Sequence, residues 1–257
     1  MHRLLEHMIV CVNLQSLLED DVKKIVKDTR KFFVDEGFKI QEEYRPTPDQ
    51  KVVKLFTYAK DNVTIIVTKD AIEMSVNAME KYEGFDTYKT YVTNLLNAIE
   101  KDVDDVDSII RVGVRKINTL FVKDTDLIGK YFDESIFNVS KMNVALGENG
   151  GKVLTSGTRL SLVNDTNKLN VITDIQLGEG KMVKDGHEEN IDIYRIVLDL
   201  DAYWDKSLIP YESVESKLNE LSRKATDIYT DCLDSNFVAM LLDGKINDDN
   251  IIGGIKA

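Results

Sequence analysis

Histidine, proline and cysteine are scarce: 257 residues contain three histidines, three prolines and two cysteines. Each scarcity excludes something. His2 and His7 lie at the very start and His187 in a polar stretch, so a Ser/His/Asp or Cys/His catalytic group has little to draw on. Two distant cysteines and three scattered histidines make no zinc-ligand spacing. Pro46, Pro48 and Pro210 form no Pro-rich linker. Neither G-x-x-x-x-G-K-[ST] nor G-x-G-x-x-G occurs. Gly178-Glu-Gly-Lys181 lacks the following Ser/Thr and reads as a turn. No run of three Lys/Arg occurs, and every apolar run is too short to cross a bilayer as a helix. There is no Gly period and no sustained heptad, which sets aside collagen-like and coiled-coil architectures.

What is present describes an acidic globular chain. Acidic residues number 45 against 33 basic, a formal charge of −12, with a sequence pI near 4.8. The average field therefore repels a phosphate backbone, which makes direct nucleic-acid binding unlikely. The apolar fraction of 43% suffices for a packed core. The opening MHRLLEHMIVCV lacks a small-residue cleavage site and is followed by Asn13 and Gln15, so it reads as a strand and not a signal peptide. Cys11 and Cys232 sit among apolar neighbours. They read as buried free thiols in a cytoplasmic protein.

Along the chain, 8–14 reads as a strand buried on both faces. Ser16-x-x-Glu19 reads as a capping box opening a helix over 17–36, with Leu18, Val22, Ile25, Thr29, Phe32 and Phe33 as its stripe and Gly37 as its stop. A half-exposed strand at 38–44 and a meander of strands at 51–59, 63–69 and 71–77 follow, then a helix over 86–101. Its exit is acidic, with Asp102, Asp104, Asp105 and Asp107. A long strand spans 108–122. The second half reads as a short amphipathic piece at 124–135, strands at 137–146, 152–164, 169–178 and 190–201, and a polar loop at 179–189. A helix over 211–232 starts after Pro210, and a short helix capped by Asp234 and closed by Gly244 comes last, with a fraying tail at 245–257.

Runs of adjacent strands that feed a helix, twice over, predict an α+β fold of antiparallel sheets with packed helices, not alternating βαβ units. The chain reads as a single α+β unit, 1–257, with a two-fold pseudo-repeat as an open expectation. Its halves, 1–123 and 124–257, would share one core or meet at a cleft.

Ser108-Ile-Ile-Arg-Val-Gly-Val-Arg-Lys-Ile-Asn118 is the most distinctive stretch. It resembles an R-x-G-x-R-x-x-N strand signature in a sporadically distributed, uncharacterised family of bacterial proteins of about 250 residues, the size of one large domain. A hairpin from Phe56 to Thr68, the helix entry Tyr82-Glu-Gly-Phe-Asp-Thr-Tyr88 and the strand end Asp199-Leu-Asp-Ala-Tyr203 fit the same family. Lys116 stands where an aromatic is usual. The resemblance implies a single bacterial fold unit, carried in mobile or phage-defence gene neighbourhoods, without an agreed activity.

Several constellations are candidates for function. Arg111 and Arg115 share one strand face with Gly113 between them. They could hold a carboxylate or phosphate over a close-approach glycine, or pair with acids of a neighbouring strand. The opposite face, Ile110, Val112 and Val114, reads as core. Asp199 and Asp201 share a face as well. They could hold Mg²⁺, but a cross-pairing with Arg111 and Arg115 accounts for both motifs structurally. Tyr82, Phe85, Tyr88 and Trp204 cluster at helix entries, either as a protein-binding patch or as staples of helix onto sheet. No cofactor and no metal is expected. The first functional expectation is a non-enzymatic accessory protein that acts by protein–protein binding, with a partner from a neighbouring gene, inside a bacterial phage-defence or toxin–antitoxin module. The second is a sensor of a small anionic ligand held between the halves by Arg111 and Arg115. The third is an Mg²⁺ enzyme built on Asp199 and Asp201. No membrane partner is expected, and a homodimer is open.

Overall fold

The computed structural model describes residues 4–15, 17–46, 50, 52–103, 109–124, 128–133, 136, 154–164, 167–184, 187–243 and 251–253, and the side chains of these except 181–184, 187–189, 252 and 253. The expected strand at 137–146, the Ser16 cap, the acids at 104–107 and Gly244 lie outside the described residues. The fold is α+β: an antiparallel sheet carries a layer of packed helices. In chain order come β1 (Leu5–Leu14), α1 (Glu19–Asp35), β2 (Lys39–Pro46), β3 (Val52–Lys60), β4 (Val63–Val67), β5 (Ala71–Asn77), α2 (Phe85–Asp102) and β6 (Ile109–Val122). Then follow α3 (Ile128–Tyr131), β7 (Thr155–Val163), β8 (Lys168–Lys184), β9 (His187–Trp204), α4 (Tyr211–Asp231), α5 (Ser235–Asp243) and β10 (Ile251–Gly253).

The strand order is β2-β3-β4-β5-β1-β6-β9-β8-β7, with β10 joined to β6. The first and last strands of the expected half 1–123, β1 and β6, therefore pair with each other at the centre, and the strands of 124–257 join the sheet through β9 on β6. The meander β2–β5 returns to β1, and the meander β7–β9 returns to β6. The halves join edge to edge in one sheet, and one apolar core runs under both. The likeness of the halves stays at the level of strand order. The 17-residue α1 stands between β1 and β2, whereas the described helix between β6 and β7 is the four-residue α3. A repeat is not established.

Alternation sorts the sheet's faces. On β1, Met8, Val10, Val12 and Leu14 are buried, while Ile9, Cys11 and Asn13 between them are half-buried. Only one face of β1 is therefore fully buried. Ile72, Met74 and Val76 of β5, Val112 and Val114 of β6, and Ile196, Leu198, Leu200 and Ala202 of β9 continue that face. The helices α1, α2 and α4 stand side by side upon it, in that order.

Ile110 departs from the expected core face and is 45% exposed, while Ile109 is buried. The cause is a register shift between Asn13 and Leu14 opposite Arg111 and Ile109. A bulge turns one residue's side chain to the other face.

Helix α1 ends in a Schellman motif. Gly37 has φ +88° and its N–H donates to Val34 O, the Phe38 N–H donates to Phe33 O, and the Phe33 and Phe38 rings meet at 5.3 Å. Its start differs from expectation. Leu18 is the exposed N-cap, its N–H donating to Asp21 Oδ2 at 3.1 Å, and Leu17 takes the buried place instead. Asp234 Oδ1 caps α5 by accepting from the N–H groups of Asn236 and Phe237. Where a polar loop is expected at 179–189, residues 179–184 and 187–189 are strand, with β8 and β9 paired out to Lys184 and His187. The expected fraying tail is in part strand: β10 pairs with Phe121 and Val122, beyond the end of the β1 ladder at Asn118.

One charge lies inside the helix–sheet layer. Lys116 is 3% exposed, and its Nζ donates to Ser222 O at 2.9 Å and Thr226 Oγ1 at 2.6 Å of α4. Burial pushes its ammonium down to about 8 from the ordinary lysine value of 10.5. A lysine whose folded value lies below its unfolded one binds fewer protons when folded. Stability should therefore rise with pH, from about pH 8 toward 10.5. The buried tyrosines Tyr58, Tyr82, Tyr211 and Tyr229 are raised by burial, and act with opposite sign only above about pH 10. Burial also raises the thiols of Cys11 and Cys232, which oppose the rise once they titrate in the unfolded chain, so urea midpoints of the wild type should rise between about pH 7.5 and 8.5, by at most about 1.4 kcal/mol per pH unit. Lys116→Met should flatten that rise, and an identical slope in the variant would sink the assignment.

Candidate functional site

The strand that carries R-x-G-x-R lies at the centre of the sheet. Its register places Arg115 opposite Asp201 and Ile9, and Gly113 opposite Tyr203 and Cys11. Arg111, Gly113 and Arg115 all face away from the helices, because Val112 and Val114 between them fill the core.

The two arginines meet the two aspartates of β9 diagonally. Arg115 makes a fork with Asp199, Nε to Oδ1 at 2.8 Å and Nη2 to Oδ2 at 2.5 Å. Arg111 is held more loosely, with Nη2 3.6 Å from Asp201 Oδ2 and its guanidinium 4.6 Å over the Tyr203 ring. The Asp199 side chain is 9% exposed and that of Arg115 42%, so the pair is buried at its acidic end only. The bond to Asp199 raises the Arg115 guanidinium further. Burial raises the Asp201 carboxyl, against the opposing pull of Arg111. Burial likewise raises the Cys11 thiol, which holds it in the unreactive protonated form.

A hollow of about 220 Å³ opens over this strand, lined by Ile9, Cys11, Glu73, Arg111, Gly113, Arg115 and Asp201. It brings together strands β5, β1, β6 and β9, and hence both halves of the chain. Ile9, Cys11 and Glu73 escape sequence reasoning, since only the β5–β1–β6 register brings them beside the arginines. The alternation along β1 was the signal that could have placed Ile9 and Cys11 on one face.

Asp199 and Asp201 are committed to arginine contacts, and Asp201 also accepts from Asn170 Nδ2 at 3.5 Å. Among the described residues, no group of three or more His, Cys, Asp or Glu is placed to hold a metal ion. No helix among them is long and apolar enough to cross a membrane. Cys11 and Cys232 are both free thiols.

The aromatic group lies inside the helix layer and around its entries. Tyr88 is buried, and its hydroxyl accepts from the Glu83 N–H and donates to Lys81 O. Tyr82 stacks on Tyr88 at 5.4 Å. Phe85 packs against the core beside Lys116. Trp204 donates its Nε1–H to Ser207 O at 3.0 Å and lies under Lys217. These contacts hold helix onto sheet.

The exposed apolar side chains cluster elsewhere, on β7. Leu160 is 52% exposed, Leu162 44% and Val163 65%. Sequence reasoning placed this strand but did not single it out, because whether a strand sits at an edge depends on the order of the sheet.

The chain matches no family model, and no curated protein matches it.

The ion pairs give an ordered expectation. Arg115→Ala leaves a nearly buried carboxylate without its fork and should cost about 1–3 kcal/mol, less than a fully buried pair because Arg115 is half in solvent. Arg111→Ala removes a looser contact and should cost under about 1 kcal/mol. Urea midpoints measure both, and a double-mutant cycle of Arg115→Ala with Asp199→Ala should return a positive coupling. Equal costs, or zero coupling, would contradict the geometry.

Proposed function

We propose that this protein is a non-enzymatic accessory protein that binds another polypeptide, and that it takes up an extended segment of that partner as an added strand along β7. The observation that carries the reading is the contrast between the two edges of the sheet. An edge strand offers a row of unpaired backbone groups to any chain that can lie beside it, so folds blunt their edges with charge and proline.

Edge strand β2 is blunted in this way. Lys39, Glu42, Glu43 and Arg45 stud it and Pro46 ends it, and Glu42 is tied to Lys54 at 2.6 Å. Edge strand β7, Thr-Ser-Gly-Thr-Arg-Leu-Ser-Leu-Val, carries one charge, Arg159, and has no proline. Among the described residues it pairs with β8 alone. Leu160 and Leu162 lie opposite Val171 and Leu169, which are buried in the core. Among the described residues, the apolar face of the sheet thus runs out to an uncovered rim.

Strand addition takes its affinity from main-chain hydrogen bonds and its selectivity from alternate side chains. The rim suits a segment with apolar residues at every second position. A charge of −12 favours basic flanks on that segment and opposes a second copy of this chain. The family resemblance supports a phage-defence or toxin–antitoxin setting and makes a neighbouring gene's product the natural probe. The anion-sensor reading draws less support, because Asp199 and Asp201 already answer the two arginines.

The test is co-expression of the full chain with the product of the neighbouring gene. A stoichiometric complex should form, and the amides of 155–163 should gain protection from hydrogen exchange within it. Leu160→Lys with Leu162→Glu should abolish the complex while changing stability by no more than about 0.5 kcal/mol, as exposed substitutions do. A complex indifferent to these changes, the absence of any complex, or a homodimer in which two β7 strands pair would each overturn the reading.

A further inference from the structure

The hollow over Gly113 goes unused by strand addition at β7, and the inference drawn from it stands independently of that reading. Its depth comes from a missing side chain. Across the sheet, one row of residues runs Glu73, Cys11, Gly113, Tyr203. Gly113 adds nothing above the backbone there. Of its neighbours on the same face, Arg115 leans onto Asp199, while Arg111 lies over the Tyr203 ring with its guanidinium beside Gly113. The backbone does not demand a glycine. A β-carbon at 113 would meet the Tyr203 β-carbon at 3.4 Å and Arg111 at 3.6 Å, both ordinary contacts. What glycine preserves at this position is room for the Arg111 guanidinium to lie close over the strand at the floor of the hollow.

The charges that face this space are of both signs. The fork of Arg115 is taken by Asp199. Arg111 meets Asp201 only at 3.6 Å, lies over the Tyr203 ring and interacts with the Cys11 thiol, and its five N–H donors leave some for a carboxylate. Glu73 on β5 and Asp201 on β9 supply one carboxylate at each flank of the hollow, and Ile9 and Cys11 between them supply an apolar wall. A simple anion entering here would approach two carboxylates for one partly engaged guanidinium. A simple cation would approach two guanidiniums. A ligand that carries both signs a few bonds apart answers each group in turn.

We propose that the hollow over Gly113 binds a small zwitterion, a free α-amino acid, with its carboxylate on Arg111, its ammonium on Glu73 across the hollow, and a small apolar side chain against Ile9 and Cys11. The site spans both halves of the chain, so occupancy ties β5 and β1 to β6 and β9.

Thermal melting of the full chain tests this, with the set of free L-amino acids as probes and acetate and methylammonium as half-probes, all at millimolar concentration. At least one small apolar amino acid should raise the melting temperature, by about 3 °C at ten times its dissociation constant, while neither half-probe does. Gly113→Val fills the hollow and keeps every charge, and should remove the shift. Arg111→Gln keeps the bulk and removes the charge, and should weaken binding at least about tenfold, as loss of a charged hydrogen bond does. No shift with any amino acid would overturn the proposal. So would an equal shift from acetate alone, or a shift that survives in Gly113→Val. Should Gly113→Val fail to fold, as judged by circular dichroism, an undiminished shift in Arg111→Gln overturns it.

Discussion

The antiparallel ladder between β1 and β6 is the constraint on which the rest of the structure depends. It joins the meander β2–β5, which ends on β1, to the meander β7–β9, which ends on β6, in a single sheet. Side chains alternate across a strand, so this register decides which residues of both halves face the helices. A slip by one residue would send Arg111 and Arg115 into the core and Val112 and Val114 out of it, an exchange of two charges for two apolar side chains. The register shifts at either end of the ladder, near Leu5 and near Asn13, mark where it gives way to bulges.

The two faces of β6 handle charge in different ways. On the helix side, Lys116 is satisfied by a carbonyl and a hydroxyl of α4 and by no close carboxylate, and its ammonium is destabilised by burial. On the other side, Arg115 meets a carboxylate in a fork, and Arg111 meets one loosely while stacking on a ring. A second buried lysine shows a third arrangement. Lys89 links α2 to α4 through Glu215 at 2.9 Å and Asn219 at 3.0 Å, so the ion pair there joins two helices instead of two strands. Each solution follows from how much water reaches the group.

The two proposed interactions draw on different physics. The proposed β7 rim would offer main chain and leucine where the sheet of the described residues ends, which suits a long extended partner. The hollow over Gly113 offers charges of both signs in a space that one absent side chain creates, which suits a compact ligand. They lie on different strands and make no use of common residues, so one can fail without the other.

Much of the fold was legible in the sequence, because period and punctuation are local properties. Period-two alternation marked the strands and period-3.6 stripes marked α1, α2 and α4, while Gly37, Pro210 and Asp234 marked helix boundaries through their own backbone and capping chemistry. The likeness of the aromatic entries to staples was readable for the same reason. Other features depended on what lies across a ladder, which no single segment encodes. The bulge that exposes Ile110, the extension of β8 and β9 through 179–184 and 187–189 and the pairing of β10 on β6 each required a neighbouring strand. That Arg111 and Arg115 share a face was written in their spacing. Tertiary structure alone decided that their partners would be Asp201 and Asp199, that Ile9, Cys11 and Glu73 would stand around Gly113, and that β7 would be an edge, because strand order and register arise from packing between segments far apart in the chain.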